Sequence, residues 1–145
     1  MFKKLHKYAN PNKFIVTIAP LRRACSYLAV IFILIGLVLG LFFSPPDYQQ
    51  GETVRIMYIH VSAAWISLFA YTLVFFLSLS YLIWKFPLFV LMAKEIPVVA
   101  IVFTIITLIT GSLWGKPTWG TYWVWDARLT SFLILLFIYL GLIFI

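Results

Sequence analysis

Read for polarity alone, the chain alternates four long apolar runs with short polar stretches. The runs cover residues 27–43, 57–83, 96–113 and 129–145. A helix that crosses the hydrocarbon layer needs about 20 residues, within a range of roughly 17–25, so each run predicts a transmembrane helix. The second is long enough to tilt or to project beyond the bilayer. The first ends at Ser44-Pro45-Pro46, which cannot continue a helix. The third is expected to start at Ile96-Pro97, with proline in the first turn where its missing N–H costs nothing. No repeat, linker or low-complexity tract divides the chain. The pattern therefore predicts an all-α integral membrane protein, a polytopic helical bundle forming a single membrane domain over residues 1–145. The fourth run has no Lys, Arg or Trp after it to set its depth. A fragment of a longer chain, or the product of a truncated gene, is the expectation.

Composition leads to the same solvent. Of 145 residues, 64% are hydrophobic and 10% charged, against about 45–50% and roughly 25% in soluble domains. A core this small cannot hide that much apolar surface, which excludes a free-standing soluble enzyme. Net charge is +7, yet its distribution argues against nucleic acid. Lys3, Lys4, Lys7, Lys13, Arg22 and Arg23 precede the first apolar run, and Lys85 and Lys94 lie in the second polar stretch. The opposite side holds Arg55, Lys116 and Arg128. Positive charge accumulates on the cytoplasmic side of spans, so the N-terminus is expected inside and the first and third loops outside. In a bacterium that places the chain in the inner membrane, with the outer loops in the periplasm. The first apolar run is longer than a signal-peptide core and lacks a small-x-small cleavage site.

The candidate chemistry is limited by what is scarce. One cysteine, Cys25, excludes an internal disulfide, a CxxC site and covalent haem attachment through CxxCH. It reads as a buried small hydrophobe. With two histidines and four acids, a multi-ligand metal cage is hard to assemble. Aromatic residues are plentiful instead. Four of six tryptophans, Trp114, Trp119, Trp123 and Trp125, fall within twelve positions. Gly115, Pro117 and Gly120 are expected to break regular structure there. From Thr118, a good N-cap, the chain can turn helical and set Trp119, Trp123 and Asp126 on one face. An interfacial aromatic belt is the plain reading. The density, and the Gly-Lys-Pro shaping, favour a shelf for a flat π-rich ligand, with Lys116 and Arg128 available to its carboxylates.

His60 lies near the outer end of the second run, on the same side as the tryptophans. Imidazole is a common iron ligand; the alternative is a histidine hydrogen-bonded between helices. Ala63, Ala64 and Ser67 follow it at i+3, i+4 and i+7, a small-residue strip that would admit a flat ring or another helix. Arg55, five residues earlier, is about 7.5 Å away along a helix axis, within reach of porphyrin propionates. His6, among the cytoplasmic lysines, reads as a solvated tail residue. Asp126 suits a cap or loop-locking bond as well as a ligand role, and it does not face Arg128 on a helix.

At these residues the sequence resembles the haem-handling membrane proteins of cytochrome c biogenesis, which share a tryptophan-rich outward loop, the WWD domain. Residues 114–131 are similar to the loop pattern WGxPxWGTWWVWDxRLTS of the haem exporter protein C (CcmC) branch. His60 lies in a matching Met-Tyr-Ile-His-Val-Ser-Ala-Ala-Trp context. Tyr122 stands where the pattern has tryptophan. The resemblance implies six spans and non-covalent haem b held outside the membrane between the loop and two axial histidines. His60 would be the first of these; the second would lie between spans five and six, beyond these residues. Trp114, Trp119, Trp123, Trp125 and Asp126 match the loop. It also implies handover to the haem chaperone CcmE, association with the ABC subunits CcmA and CcmB and with the small protein CcmD, and a mitochondrial inner-membrane setting if the source is organellar. Haem transfer without bond chemistry, and so no enzymatic activity, is the leading expectation. A permease subunit of an ABC transporter for a small solute, or a structural assembly subunit, is the alternative. No charge lies inside any span, where transport paths usually carry one.

Overall fold

A computed structural model describes residues 10–144. Lys3, Lys4, His6 and Lys7 lie outside the described residues, as does Ile145. The described chain is helical in long segments: α1 (Pro11–Val38), ending in a π-helical turn (Leu39–Phe43), α2 (Val54–Trp84), α3 (Pro87–Trp119) and α4 (Ala127–Ile143). Helices are the expected outcome for apolar chain in lipid, because each must satisfy its backbone polar groups internally. Among the described residues, Asn12–Phe43, Val54–Trp84 and Pro87–Trp119 are long and apolar enough to cross a membrane, and α4 is a shorter apolar helix of 17 residues. At 31 and 33 residues, α2 and α3 are about 46 and 50 Å long at ~1.5 Å per residue. A hydrocarbon layer of ~30 Å leaves both with turns outside it.

The helix ends differ from the sequence expectation in instructive ways. Backbone hydrogen bonding does not stop where polarity changes, so α1 begins far ahead of the apolar run, capped by the Asn10 side chain. The first-turn proline of α3 is Pro87, and Pro97 sits buried inside the helix. Nor do Gly115 and Pro117 break α3, which continues to Trp119 and stops at Gly120 with φ +73°. Gly115 instead makes room. A Cβ there would lie 2.9 Å from the Trp119 ring, so its absence lets that indole fold back along its own helix. Thr118 caps nothing; its hydroxyl donates to the Trp114 carbonyl at 3.2 Å. Residues 120–126 are irregular, and the next helix starts after Asp126, whose carboxylate accepts from the Leu129 N–H at 2.9 Å. Trp119, Trp123 and Asp126 therefore share no helical face.

Small residues hold α2 against α3. Ala63, Ser67, Ala70 and Val74 of α2 are buried, as are Ala100, Thr104, Thr107, Gly111 and Gly115 of α3. This is the usual device for close helix approach in lipid, where apolar contact alone offers little driving force. The strip after His60 thus serves a neighbouring helix. Ser67 Oγ and Thr104 Oγ1 are 2.6 Å apart, and Tyr139 of α4 donates its hydroxyl to the Ser67 carbonyl at 2.6 Å. One buried seam ties the three helices.

The first helix leans on this unit through its π-helical end. Buried Gly40 lets Tyr58 approach, since an added Cβ would lie 3.3 Å from the Tyr58 ring. Ser44 and Tyr58 share a 2.8 Å hydrogen bond. Cys25, expected to be buried, is exposed on the flank of α1, because among the described residues nothing packs against that part of the helix.

Candidate functional site

One end of the bundle opens into a cavity of about 450 Å³. It is built where α2 enters the bundle, where α3 leaves it, and where α4 begins. The loop between α1 and α2 adds a wall. There Asp47 Oδ1 accepts from the N–H groups of Gln49 and Gln50, both at 2.9 Å, and the Asp47 and Gly51 backbones pair. That tight turn, with Gly51 at φ +57°, presents Gln50 to the cavity.

His60 lines the cavity and is held against α3. Its Nδ1 lies 3.2 Å from the Thr107 carbonyl oxygen and 3.1 Å from Thr110 Oγ1. The approach depends on Gly111, where a Cβ would come within 3.0 Å of His60 Cε1. The indole of Trp114 stands edge-on to the imidazole, with centroids 5.7 Å apart and planes at 64°. Its Nε1–H donates to Gln50 Oε1 at 2.9 Å, so a residue of the first loop fixes the tryptophan that flanks the histidine.

At the end of α3, Trp119 also lines the cavity and lies under the Arg128 guanidinium, 4.9 Å from ring centroid to Cζ. Arg128 also reaches Asp126 Oδ2 through Nη2 at 2.7 Å and Nε at 2.8 Å. The two were expected not to meet because residues two apart on a helix diverge. They meet because Asp126 stands outside the helix as its cap. The Leu129 N–H, and then Arg128, hold the Asp126 carboxyl below its ordinary value of 3.8. Arg128 remains 74% exposed at its side chain, so its free edge is open to an anion.

His60, Trp114, Trp119, Asp126 and Arg128 are brought to one cavity. Trp123, Trp125 and Arg55 are not in its wall. Trp123 and Trp125 pack on each other, centroids 5.3 Å apart, and the Trp123 Nε1 is buried without a hydrogen-bond partner. Arg55 turns toward the first helix, where Nη1 and Nη2 donate to the carbonyls of Leu41 at 2.7 Å and Ser44 at 3.3 Å. Its Nε lies 2.9 Å from Glu52 Oε2, within ion-pair distance but without hydrogen-bond geometry. Lys116 is occupied too, donating to the Gly120 carbonyl at 2.9 Å over the Tyr122 ring. Gln50, Thr107, Thr110 and Gly111 are the residues that sequence reasoning missed. The spacing of Thr107, Gly111 and Gly115, each four apart, was a readable sign of a closely approached helix face. Nothing near Gln50 marked it.

Among the described residues no cluster of three or more His, Cys, Asp or Glu could hold a metal ion. The site offers one imidazole, two indoles, a stacked guanidinium and an open mouth. Fold and cavity together define a class: a polytopic membrane protein with an aromatic, histidine-bearing recess at one end of its helices. A family model described as "Heme exporter protein C" matches residues 4–145, and the chain belongs to that family. The protein of that name from Bradyrhizobium diazoefficiens is 48% identical over 134 residues, covering 92% of this chain and 51% of the relative. That from Escherichia coli K12 is 41% identical over 143 residues, 99% of this chain and 58% of the relative. A Marchantia polymorpha protein described as a putative cytochrome c biosynthesis ccmC-like mitochondrial protein is 53% identical over 106 residues, 73% of this chain and 46% of the relative. The chain spans about half the length of the curated relatives it matches.

Proposed function

We propose that this chain forms the first half of a haem-handling site at the outer face of an inner membrane, and that the haem is bound there without covalent attachment. His60 supplies an axial bond to the iron. Trp114 and Trp119 line the ring's flank, and Arg128 pairs with a propionate through the edge that Asp126 leaves free. Arg55, engaged by Leu41, Ser44 and Glu52, secures the first helix, so the propionates fall to Arg128. Trp123 and Trp125 form the outer rim of the loop. Haem b is the cargo, the second axial histidine comes from sequence beyond these residues, and CcmE is the recipient. CcmA, CcmB and CcmD are the partners of the complete assembly. An open recess suits a protein that must release what it holds.

The observation that carries this reading is the meeting of His60 with Trp114, Trp119 and Arg128 around one cavity. The test is a haemin titration of the intact protein and of His60→Ala, followed by absorbance. The variant should insert and accumulate normally, bind less haem and show an altered Soret band, partly restored by added imidazole. Unchanged haem content and spectrum would leave His60 as a helix-packing residue.

A further inference from the structure

The contacts of His60 decide which of its ring nitrogens carries the proton. The Thr107 carbonyl, 3.2 Å from Nδ1, can only accept. Thr110 Oγ1, 3.1 Å from Nδ1, could in principle donate or accept, but a hydroxyl has one proton. That proton is already committed: Thr110 Oγ1 donates to the Ile106 carbonyl at 2.7 Å, the back-bond of a helical threonine. The Thr107 hydroxyl is likewise turned away, to the Phe103 carbonyl at 2.8 Å. Both partners of Nδ1 are therefore acceptors, and only an N–H satisfies them. In a neutral imidazole the other nitrogen then keeps its lone pair. Among the described residues nothing hydrogen-bonds Nε2.

We propose that Thr110, together with the Thr107 carbonyl, is a positioning residue that locks His60 in the Nδ1–H form and so reserves the Nε2 lone pair for a Lewis-acidic ligand entering the cavity. A free histidine side chain in water favours the opposite, Nε2–H form, so the protein reverses an intrinsic preference. The device has a further effect on the donor. An imidazole that gives its second N–H to a carbonyl or hydroxyl is better oriented and more basic at the ligating nitrogen, and losing such a partner typically costs 10–100-fold in metal affinity. Gly111 is part of the arrangement, because a side chain there would push the ring off its acceptors. The tautomer stands on the hydrogen bonds alone; its use toward iron rests on the haem reading above.

The two parts separate experimentally. The ring nitrogens of His60 are read by ¹⁵N NMR of the ligand-free protein in detergent micelles, its signals assigned as those that disappear in His60→Gln. The expected spectrum shows protonated Nδ1 and unprotonated Nε2; a predominantly Nε2–H ring overturns the proposal. Thr110→Val removes the acceptor at nearly constant volume and should introduce a population of the Nε2–H form, whereas Thr110→Ser should keep the native spectrum. Haemin affinity should fall on the order of ten-fold in Thr110→Val and stay near native in Thr110→Ser. A valine variant with native ring shifts and native affinity overturns the positioning role. If the ring shifts change while haemin affinity does not, the tautomer lock stands and the assignment of His60 to iron is what fails. The ligand-free spectrum of the unsubstituted ring decides the tautomer even if the valine variant fails to insert.

Discussion

Replacing Gly111 by alanine tests the site with a single methyl group. The added Cβ would lie 3.0 Å from His60 Cε1, 3.3 Å from Leu129 Cδ2 and 3.5 Å from His60 Nδ1. The ring or α4 must then move by a few tenths of an ångström. Leu129 is buried, whereas His60 borders an open cavity, so the ring is the part that yields. Its hydrogen bonds at Nδ1 are already 3.1 and 3.2 Å long, and a contact near 3.6 Å is no longer a hydrogen bond. One neutral hydrogen bond contributes about 0.5–1.5 kcal/mol, so ligand affinity at His60 should fall roughly two- to ten-fold. Global stability should change less than the site does. Overpacking costs about 1–3 kcal/mol, and the better helix propensity of alanine offsets ~0.8–1.0 kcal/mol of that. Gly36→Ala, with nothing within 4 Å of the added carbon, isolates the propensity effect. The assay is a haemin titration alongside the His60 ring resonances. Native affinity and native ring shifts in Gly111→Ala, with helix content intact, would refute the claim that this glycine sets the imidazole's position.

Tyr139→Phe removes the hydroxyl bound to the Ser67 carbonyl; because interhelical bonds in membranes average about 0.6 kcal/mol and reach ~1.7, a loss in that range is expected in reversible unfolding from mixed micelles, and a loss several times larger would contradict it. The Asp126 carboxyl is held below 3.8, so its stabilising contacts should be complete above that pH and disappear as pH falls through the lower folded-state value. Tryptophan fluorescence of the loop should thus stay flat down to about pH 4 and change below it, with a midpoint at 5 or 6 excluding Asp126 as the cause. A cysteine placed at Tyr48, 91% exposed in the first loop, in a Cys25→Ser background, should react with a membrane-impermeant thiol reagent in intact spheroplasts; labelling only after lysis would reverse the orientation.

Much of the architecture was legible because it is local. Span length and the apolar runs depend on consecutive residues, and they located all four helices. Their ends were harder. Whether Pro97 starts a helix or sits inside one depends on Pro87 being available ten positions earlier. Whether Gly115 breaks a helix or makes room depends on where the Trp119 ring folds, which residue type alone does not reveal. Spacing alone sets Asp126 and Arg128 on one helix, whereas the helix begins between them.

The sequence by itself determined the solvent, the class and the chemistry on offer: apolar runs for a bilayer, a tryptophan-rich segment and one histidine on the same side of it. Only the tertiary structure decided which of those groups meet. The contacts that build the recess join residues 47, 50 and 64 positions apart, His60 to Thr107, His60 to Thr110 and Gln50 to Trp114. No periodicity within one helix encodes such pairs. They arise because small residues bring α2 and α3 close enough for one helix's carbonyl and hydroxyl to reach the other's imidazole, and because Arg55 is drawn to the backbone of the π-helical turn instead of the cavity. The lone pair that His60 presents is thus a property of two helices packed together.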